Sequence, residues 1–244
     1  MAMDYEKLTD DELLQLARQY LKGSDEYEQD PEEGARLMKM AADRGNTDAL
    51  FDYGICLFNG EGVSKDDAAA GNCWKKAAEK GSGAALHMIG MCFMNGVCGM
   101  PKDPVKAANM FTKAAEKGEL SATFHLAMMY ENGLGVAKNP VKANEYLQAA
   151  VEKKFPAACF FQGMKILSNA GNNAAADAEG VSLIQLAAEA GEAQAQFVYG
   201  SLFQSGRGVE KDLAQAAGWY RRSAKAGFAP ANQALRQLGF PGVQ

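Results

Sequence analysis

The residues most easily mistaken for chemistry are glycine pairs. Gly60-Glu61-Gly62-Val63, Gly133-Leu134-Gly135-Val136 and Gly206-Arg207-Gly208-Val209 share a Gly-x-Gly-Val pattern. Glycine-rich turns hold phosphates, but a dinucleotide fingerprint needs a preceding strand and a third glycine, and a P-loop needs Gly-Lys-Ser/Thr. Neither accompanies these pairs, which read as turns between helices. Ser-x-x-Lys and Gly-x-Ser-x-Gly are absent as well. His87, Cys92 and Cys98 are the remaining candidates, as metal ligands. Positions 87 and 92 lie five residues apart on one expected helix and point in divergent directions, with no fourth ligand near in sequence. No catalytic residue, metal or cofactor is therefore assigned.

Composition narrows the class. The chain has 244 residues, 25 Lys and Arg against 30 Asp and Glu, a net charge of −5, 48% hydrophobic and 23% charged residues. This is the balance of a soluble globular chain with a sizeable core. It excludes a disordered tail, a collagen and a disulfide miniprotein. A mildly acidic chain is a poor sequence-blind nucleic-acid binder, because phosphate neutralisation needs a surplus of cations. The start, Met1-Ala2-Met3-Asp4-Tyr5-Glu6, lacks the basic and apolar runs of a secretory signal. The most apolar stretch, 84–93, contains His87 and ends at Asn95-Gly96, well short of the roughly 20 apolar residues of a membrane span. Five cysteines, an odd number without framework spacing, suit a reducing compartment. The expected location is cytoplasmic.

What must position any site is an internal repeat. Ala41-Ala42, Ala77-Ala78, Ala114-Ala115, Ala187-Ala188 and Ser223-Ala224 are each followed by glycine, at 45, 81, 118, 191 and 227. The steps are 36, 37, 73 and 36, and the double step hides a sixth copy, Ala150-Val151, with Lys154 in place of glycine. Such a period marks stacked helical hairpins. In the second unit a helix over 47–58 stops at Asn59-Gly60, and Asp66 caps a second helix that ends before Gly81. Asp30-Pro31, Asp103-Pro104 and Asn139-Pro140 repeat that start signal. Small residues at Gly54, Gly90, Ala127, Gly163 and Gly200 are expected to let helix axes approach. Cys56 and Cys92 share one repeat position and read as small buried hydrophobes.

This pattern resembles the Sel-1-like repeat family, relatives of tetratricopeptide repeats with a slightly longer unit. Ala195, Tyr199-Gly200, Phe203, Gly206 to Val209, Asp212, Ala216, Trp219-Tyr220, Ser223-Ala224 and Gly227 carry the resemblance most fully. It implies an all-α, right-handed α/α solenoid in one domain, 1–244, with hairpins at about 10–45, 46–81, 82–118, 119–155, 156–191 and 192–227 and a capping helix within 229–240. Unit three carries an extra residue in 96–100. Unit five replaces its loop by 169–176, the expected mobile spot. The resemblance implies a protein-interaction scaffold. A secreted, cysteine-rich branch is associated with penicillin binding, but its paired cysteines within each unit are missing here.

By analogy with such solenoids, the first helices line a concave groove. Leu14, Phe51, His87, Phe124, Phe160 and Phe197 face inward one turn into each first helix. Arg18, Ile55, Met91, Met128, Met164 and Ser201 follow, then Leu21, Phe58, Met94, Glu131, Leu167 and Gln204. Asn59, Asn95 and Asn132 form an equally spaced amide row, suited to hydrogen-bonding an extended backbone. His125 stands one position beyond the row and is expected to face away from His87. The Phe row either packs between helices or offers a surface. The methionines suit an irregular core and an adaptable binding face equally. The expected function is a non-enzymatic adaptor holding a peptide segment or helix of another protein in a Phe/Met groove. Self-assembly into a homo-oligomer is the alternative, and a small-molecule binder or hydrolase stands behind both.

Overall fold

The computed structural model describes residues 5–171 and 173–243, and the described residues form helices joined by short turns, without strands. A 3-10 turn, Tyr5–Lys7, precedes α1 (Asp10–Lys22), α2 (Pro31–Asp43), α3 (Thr47–Asn59), α4 (Asp67–Glu79), α5 (Gly83–Asn95), α6 (Pro104–Glu116) and α7 (Leu120–Asn132). After these come α8 (Pro140–Glu152), α9 (Pro156–Asn169), α10 (Ala174–Glu189), α11 (Ala193–Ser205), α12 (Leu213–Lys225) and α13 (Pro230–Gln237). The fold is an α/α hairpin-repeat solenoid with a C-terminal helix. Two compact units divide it, Met1–Pro140 and Val141–Gln244. In the first, each helix from α1 to α7 packs on the next, and in the second the same holds from α9 to α13. No helix among the described residues is long and apolar enough to cross a membrane.

Local chemistry starts and stops each helix. The carboxylates of Asp30, Asp66, Asp103 and Asp212 accept from the backbone amides of Glu33, Ala69, Lys106 and Gln215 at 2.9–3.1 Å, satisfying donors the helix leaves open. Thr9 and Glu12 form a reciprocal capping box at the first helix. First helices α3, α5, α7 and α11 end on Gly60, Gly96, Gly133 and Gly206 in the left-handed conformation. Lys154, the residue that replaces glycine in the sixth copy, holds φ at +55° all the same.

The packing departs in mechanism from the sequence reading. Met38, Trp74, Phe111, Leu147, Ile184 and Tyr220 occupy one position of the second helices, and all are buried. The small residues of the first helices answer them in size. A β-carbon on Gly54 would strike the Trp74 indole, one on Gly90 would lie 2.5 Å from the Phe111 ring, and one on Gly200 would lie 2.9 Å from the Tyr220 ring. Glycine there makes room for an aromatic ring. Close backbone approach holds at Gly163, where a β-carbon would meet the Gly180 carbonyl oxygen at 2.8 Å. By register, Ala17 stands opposite the aliphatic Met38 within the first unit.

Unit five also differs from expectation. Helix α9 runs to Asn169 and α10 begins at Ala174, so half of the expected loop, 169 and 174–176, is helix. The cause is local: Asn173 caps through its side chain, accepting from Ala175 and Ala176, and the alanine run that follows has the highest helix propensity. Asn172, part of the expected mobile spot, lies outside the described residues. At the C-terminus α13 buries Ala231, Ala234 and Leu235 and packs on α12.

A size-matching experiment follows. Gly90→Ala, which favours the isolated helix, is expected to destabilise the protein by about 1–3 kcal/mol through overpacking. Gly90→Ala with Phe111→Leu is expected to recover part of that loss. Urea unfolding of the three proteins measures it, and additive losses would refute size matching.

Candidate functional site

The expected groove residues fall on both compact units, and each unit is described by itself. In the first, Phe51, Ile55 and Phe58 on α3, His87, Met91 and Met94 on α5, and Phe124, Met128 and Glu131 on α7 are half-buried, while Asn59, Asn95 and Asn132 at the helix ends are exposed. In the second, Phe160 on α9 and Phe197, Ser201 and Gln204 on α11 are half-buried, and Met164 is 40% exposed.

Four of these residues meet. Phe58, His87, Met91 and Asn95 line a cavity of about 270 Å³ together with Trp74, Met88, Cys92 and Val97. Its walls are apolar except at the Asn95 amide and the imidazole. Trp74 stands in it because Gly54 leaves space and because the indole N–H donates to the Phe51 carbonyl at 3.1 Å. Phe58 packs on the indole at 5.7 Å between ring centroids. Sequence reasoning did not place Trp74 in the groove. The signal was the large residue seven positions before each repeat's closing glycine or Lys154, here set against glycine.

Other expected residues are spent on packing. Phe197 contacts the rings of Tyr220 and Phe228 at 5.3 and 5.2 Å. Gln204 accepts a 2.6 Å hydrogen bond from the Tyr220 hydroxyl, and Ser201 donates to the Val198 carbonyl. Asn132 donates to the Met128 carbonyl of its own helix at 2.8 Å, so one of its two amide N–H groups is spent within the helix. Ile55 belongs to a different cavity of about 240 Å³, with Arg18, Leu21, Lys22, Met38, Asp52, Cys56 and Glu61. Arg18 and Asp52 pair there at 2.6 Å.

His125 requires a correction. Its ring lies 5.1 Å from that of His87, and Phe111 contacts both, at 5.0 and 5.6 Å. One residue turns a helical side chain by about 100°, and on α7 that turn brings His125 back toward α6 and α5. The Nδ1–H of His125 donates to the Ser121 carbonyl at 2.7 Å. His87 Nε2 is buried, with no hydrogen-bond partner among the described residues. Burial, aided by His125 and opposed by Glu119, lowers the His87 pKa to about 4 and keeps the ring neutral.

The glycine pairs are structural. A β-carbon on Gly62 would collide with the Pro31 carbonyl of α2, and one on Gly135 with that of Pro104 on α6. Each loop thus sits on the start of the preceding second helix, in the place a phosphate would need. Among the described residues, no three His, Cys, Asp or Glu side chains converge as metal ligands. Burial raises the thiol pKa of Cys56 to about 11 and lifts those of Cys73 and Cys159, so these thiols are weak nucleophiles.

The Sel1 repeat model matches residues 13–46, 47–82, 83–119, 120–155 and 193–228, more than half of the chain. The chain belongs to the Sel1 repeat family. The hairpin α9–α10, with its altered loop, falls outside the matched segments yet keeps the repeat's helix pair. A Sel1 repeat protein from Oxalobacter formigenes is 27% identical, with 96% of this chain and 67% of that one covered and a TM-score of 0.77. The protective antigen c5321 of uropathogenic Escherichia coli, which displays an SLR fold, is 26% identical over 96% of this chain and 50% of its own, at a TM-score of 0.62. This chain therefore spans about two thirds of the first relative and half of the second. The immunity protein Pa5087 from Pseudomonas aeruginosa, 20% identical over 91% of this chain and 83% of its own with a TM-score of 0.66, shares the fold alone. Curated proteins yield no match.

The neutral His87 predicts acid sensitivity. Its pKa is lowered on folding, so the unfolded chain binds the extra proton between about 4 and 6.5. Stability from this group is present above 6.5 and is lost as the pH falls towards 4. His87→Phe, the residue of neighbouring repeats, is expected to flatten that part of the curve. Urea midpoints measured across this pH range test it, and an unchanged slope would reject the assignment.

Proposed function

We propose that this Sel1 repeat protein is a non-enzymatic adaptor. Sel1 repeat proteins are in general protein-interaction scaffolds, and here the docking face is the α3–α5–α7 surface of the first unit. The Trp74-backed cavity carries the reading. An apolar recess walled by Phe58, Met91 and His87, with one amide at its edge, suits a single apolar side chain of a partner segment. Met91, Met94 and Met128 around it can repack to fit that segment. Phe51, Phe124, Asn59 and Glu131 flank the recess on the same helices. In the second unit, Phe160 and exposed Met164 on α9 are the residues left for contact, because Phe197, Ser201 and Gln204 are engaged internally.

The repeat period supports reading residues 1–244 as one array, and thermal unfolding in a single transition would agree with it. A reducing, cytoplasmic setting suits the five free thiols. Self-assembly through the same face remains the competing use of an apolar surface, and light scattering over a concentration series separates the two.

Replacing Met91 and Met128 by glutamate is expected to cut partner recovery in a cross-linking pull-down at least tenfold while the far-ultraviolet circular dichroism stays helical. A charge in a desolvated apolar contact costs several times what the lost area does. Equal recovery by the folded variant would remove the groove from the function.

A further inference from the structure

The third repeat breaks the pattern of its loop in a way that assembles two thiols. Counting from the capping glycines Gly60 and Gly96, Cys98 stands where Gly62 stands in the second repeat, and it keeps the left-handed backbone, φ +57° against +68°. A non-glycine residue is strained there. Gly62 lies against Ala35, five residues after the helix cap Asp30. The corresponding residue of α4, five after Asp66, is Gly71. A β-carbon on Gly71 would meet the Cys98 carbonyl oxygen at 2.7 Å and the Cys98 β-carbon at 3.1 Å. Beside Gly99, which keeps a left-handed loop glycine at φ +70°, the helix has thus gained a glycine at 71, and a thiol occupies the space released. Glycine inside α4 is itself unfavourable, so both changes weaken the backbone to seat one side chain.

That side chain meets Cys92. The amides of Gly96 and Val97 both donate to the Cys92 carbonyl, at 2.8 and 3.2 Å, folding the chain back over Cys92 immediately before Cys98. The two thiols neighbour one another at the end of α5, within range of an electrostatic influence on each other, and are 2% and 3% exposed. Cys92 and neighbouring Val97 also line the Trp74 cavity.

We propose that Cys92 and Cys98 are a redox-modification site that closes to a reversible disulfide. The oxidant is a small hydroperoxide. The Cys98 sulfur, as thiolate, attacks one peroxide oxygen, the O–O bond breaks, and an alcohol (water, from hydrogen peroxide) leaves with a proton. Cys98 is then a sulfenic acid. The Cys92 sulfur attacks the Cys98 sulfur, the S–O bond breaks, and a water leaves with the remaining protons. Two thiols are oxidised and one peroxide is reduced. Burial raises both thiols and keeps them protonated and weakly nucleophilic while the loop is closed, and Cys98 reacts first because it lies in the loop whereas Cys92 is held within α5. Reaction waits on opening of the 96–100 loop, and a reduced thiol pool reopens the bond.

The test treats the full folded chain with hydrogen peroxide, quenches, denatures, alkylates and maps peptides without reduction. Free thiols are expected to fall from five to three, with one disulfide linking Cys92 to Cys98 that dithiothreitol reverses, and hydrogen exchange across 96–100 is expected to slow. Cys98→Gly, which restores the loop glycine of the other repeats and keeps the fold, is expected to retain four unreacted thiols under the same treatment. Five free thiols after treatment, sulfinic acids at these positions, or a linkage to Cys56, Cys73 or Cys159 would each overturn the proposal.

Discussion

A helical hairpin of this size cannot bury its own apolar face, and the pairing of a small residue on the first helix with a large one on the second is how each repeat begins to do so. Trp74 against Gly54, Phe111 against Gly90 and Tyr220 against Gly200 are variants of one joint, in which the ring volume is matched by an absent β-carbon. The joint sets how far apart the two helices of a hairpin stand, and therefore where the next hairpin can rest. The loop glycines Gly62, Gly135 and Gly208 complete the arrangement by lying on the start of the preceding second helix. Glycine is frequent in this helical chain because both contacts exclude a side chain.

Much of this was legible in the sequence because it rests on local chemistry. An aspartate followed by proline caps a helix whatever surrounds it, and glycine after Asn59 or Asn95 ends one. Those signals place helices to within a residue or two. Size matching was half legible, since the small residues and the large ones each recur at fixed spacing, but only coordinates show that a ring rather than a backbone fills the gap at Gly90. The extent of the unit-five loop was half legible, because a missing glycine pair reads as irregularity over 169–176 whereas Asn173 caps a helix that takes in the three alanines.

The site was less legible because neighbours on different helices decide it. Spacing along α5 and α7 sends His87 and His125 in different directions from their own axes, yet both rings reach Phe111. Asn132 has the spacing of a ladder amide and spends one of its two amide N–H groups on Met128. A residue's face follows from its helix, but its availability depends on what the adjoining helices bring.

The departures from the repeat are not scattered. His87 replaces the phenylalanine found at 51, 124, 160 and 197, Trp74 is the largest of the residues at its position, the loop 96–100 has one residue more than its counterparts, and Gly71 stands in the helix where Ala35 stands in the first repeat. His87, Trp74, Cys92 and Val97 line one cavity, and Cys98 and Gly71 lie directly beside it. Regular positions in a repeat protein are held by the demands of stacking, which are alike in every unit. A change that weakens stacking, such as a strained cysteine or a helix glycine, gains nothing for the stack. Several such changes nevertheless converge on one apolar recess, and the demands of stacking, alike in every unit, do not account for them.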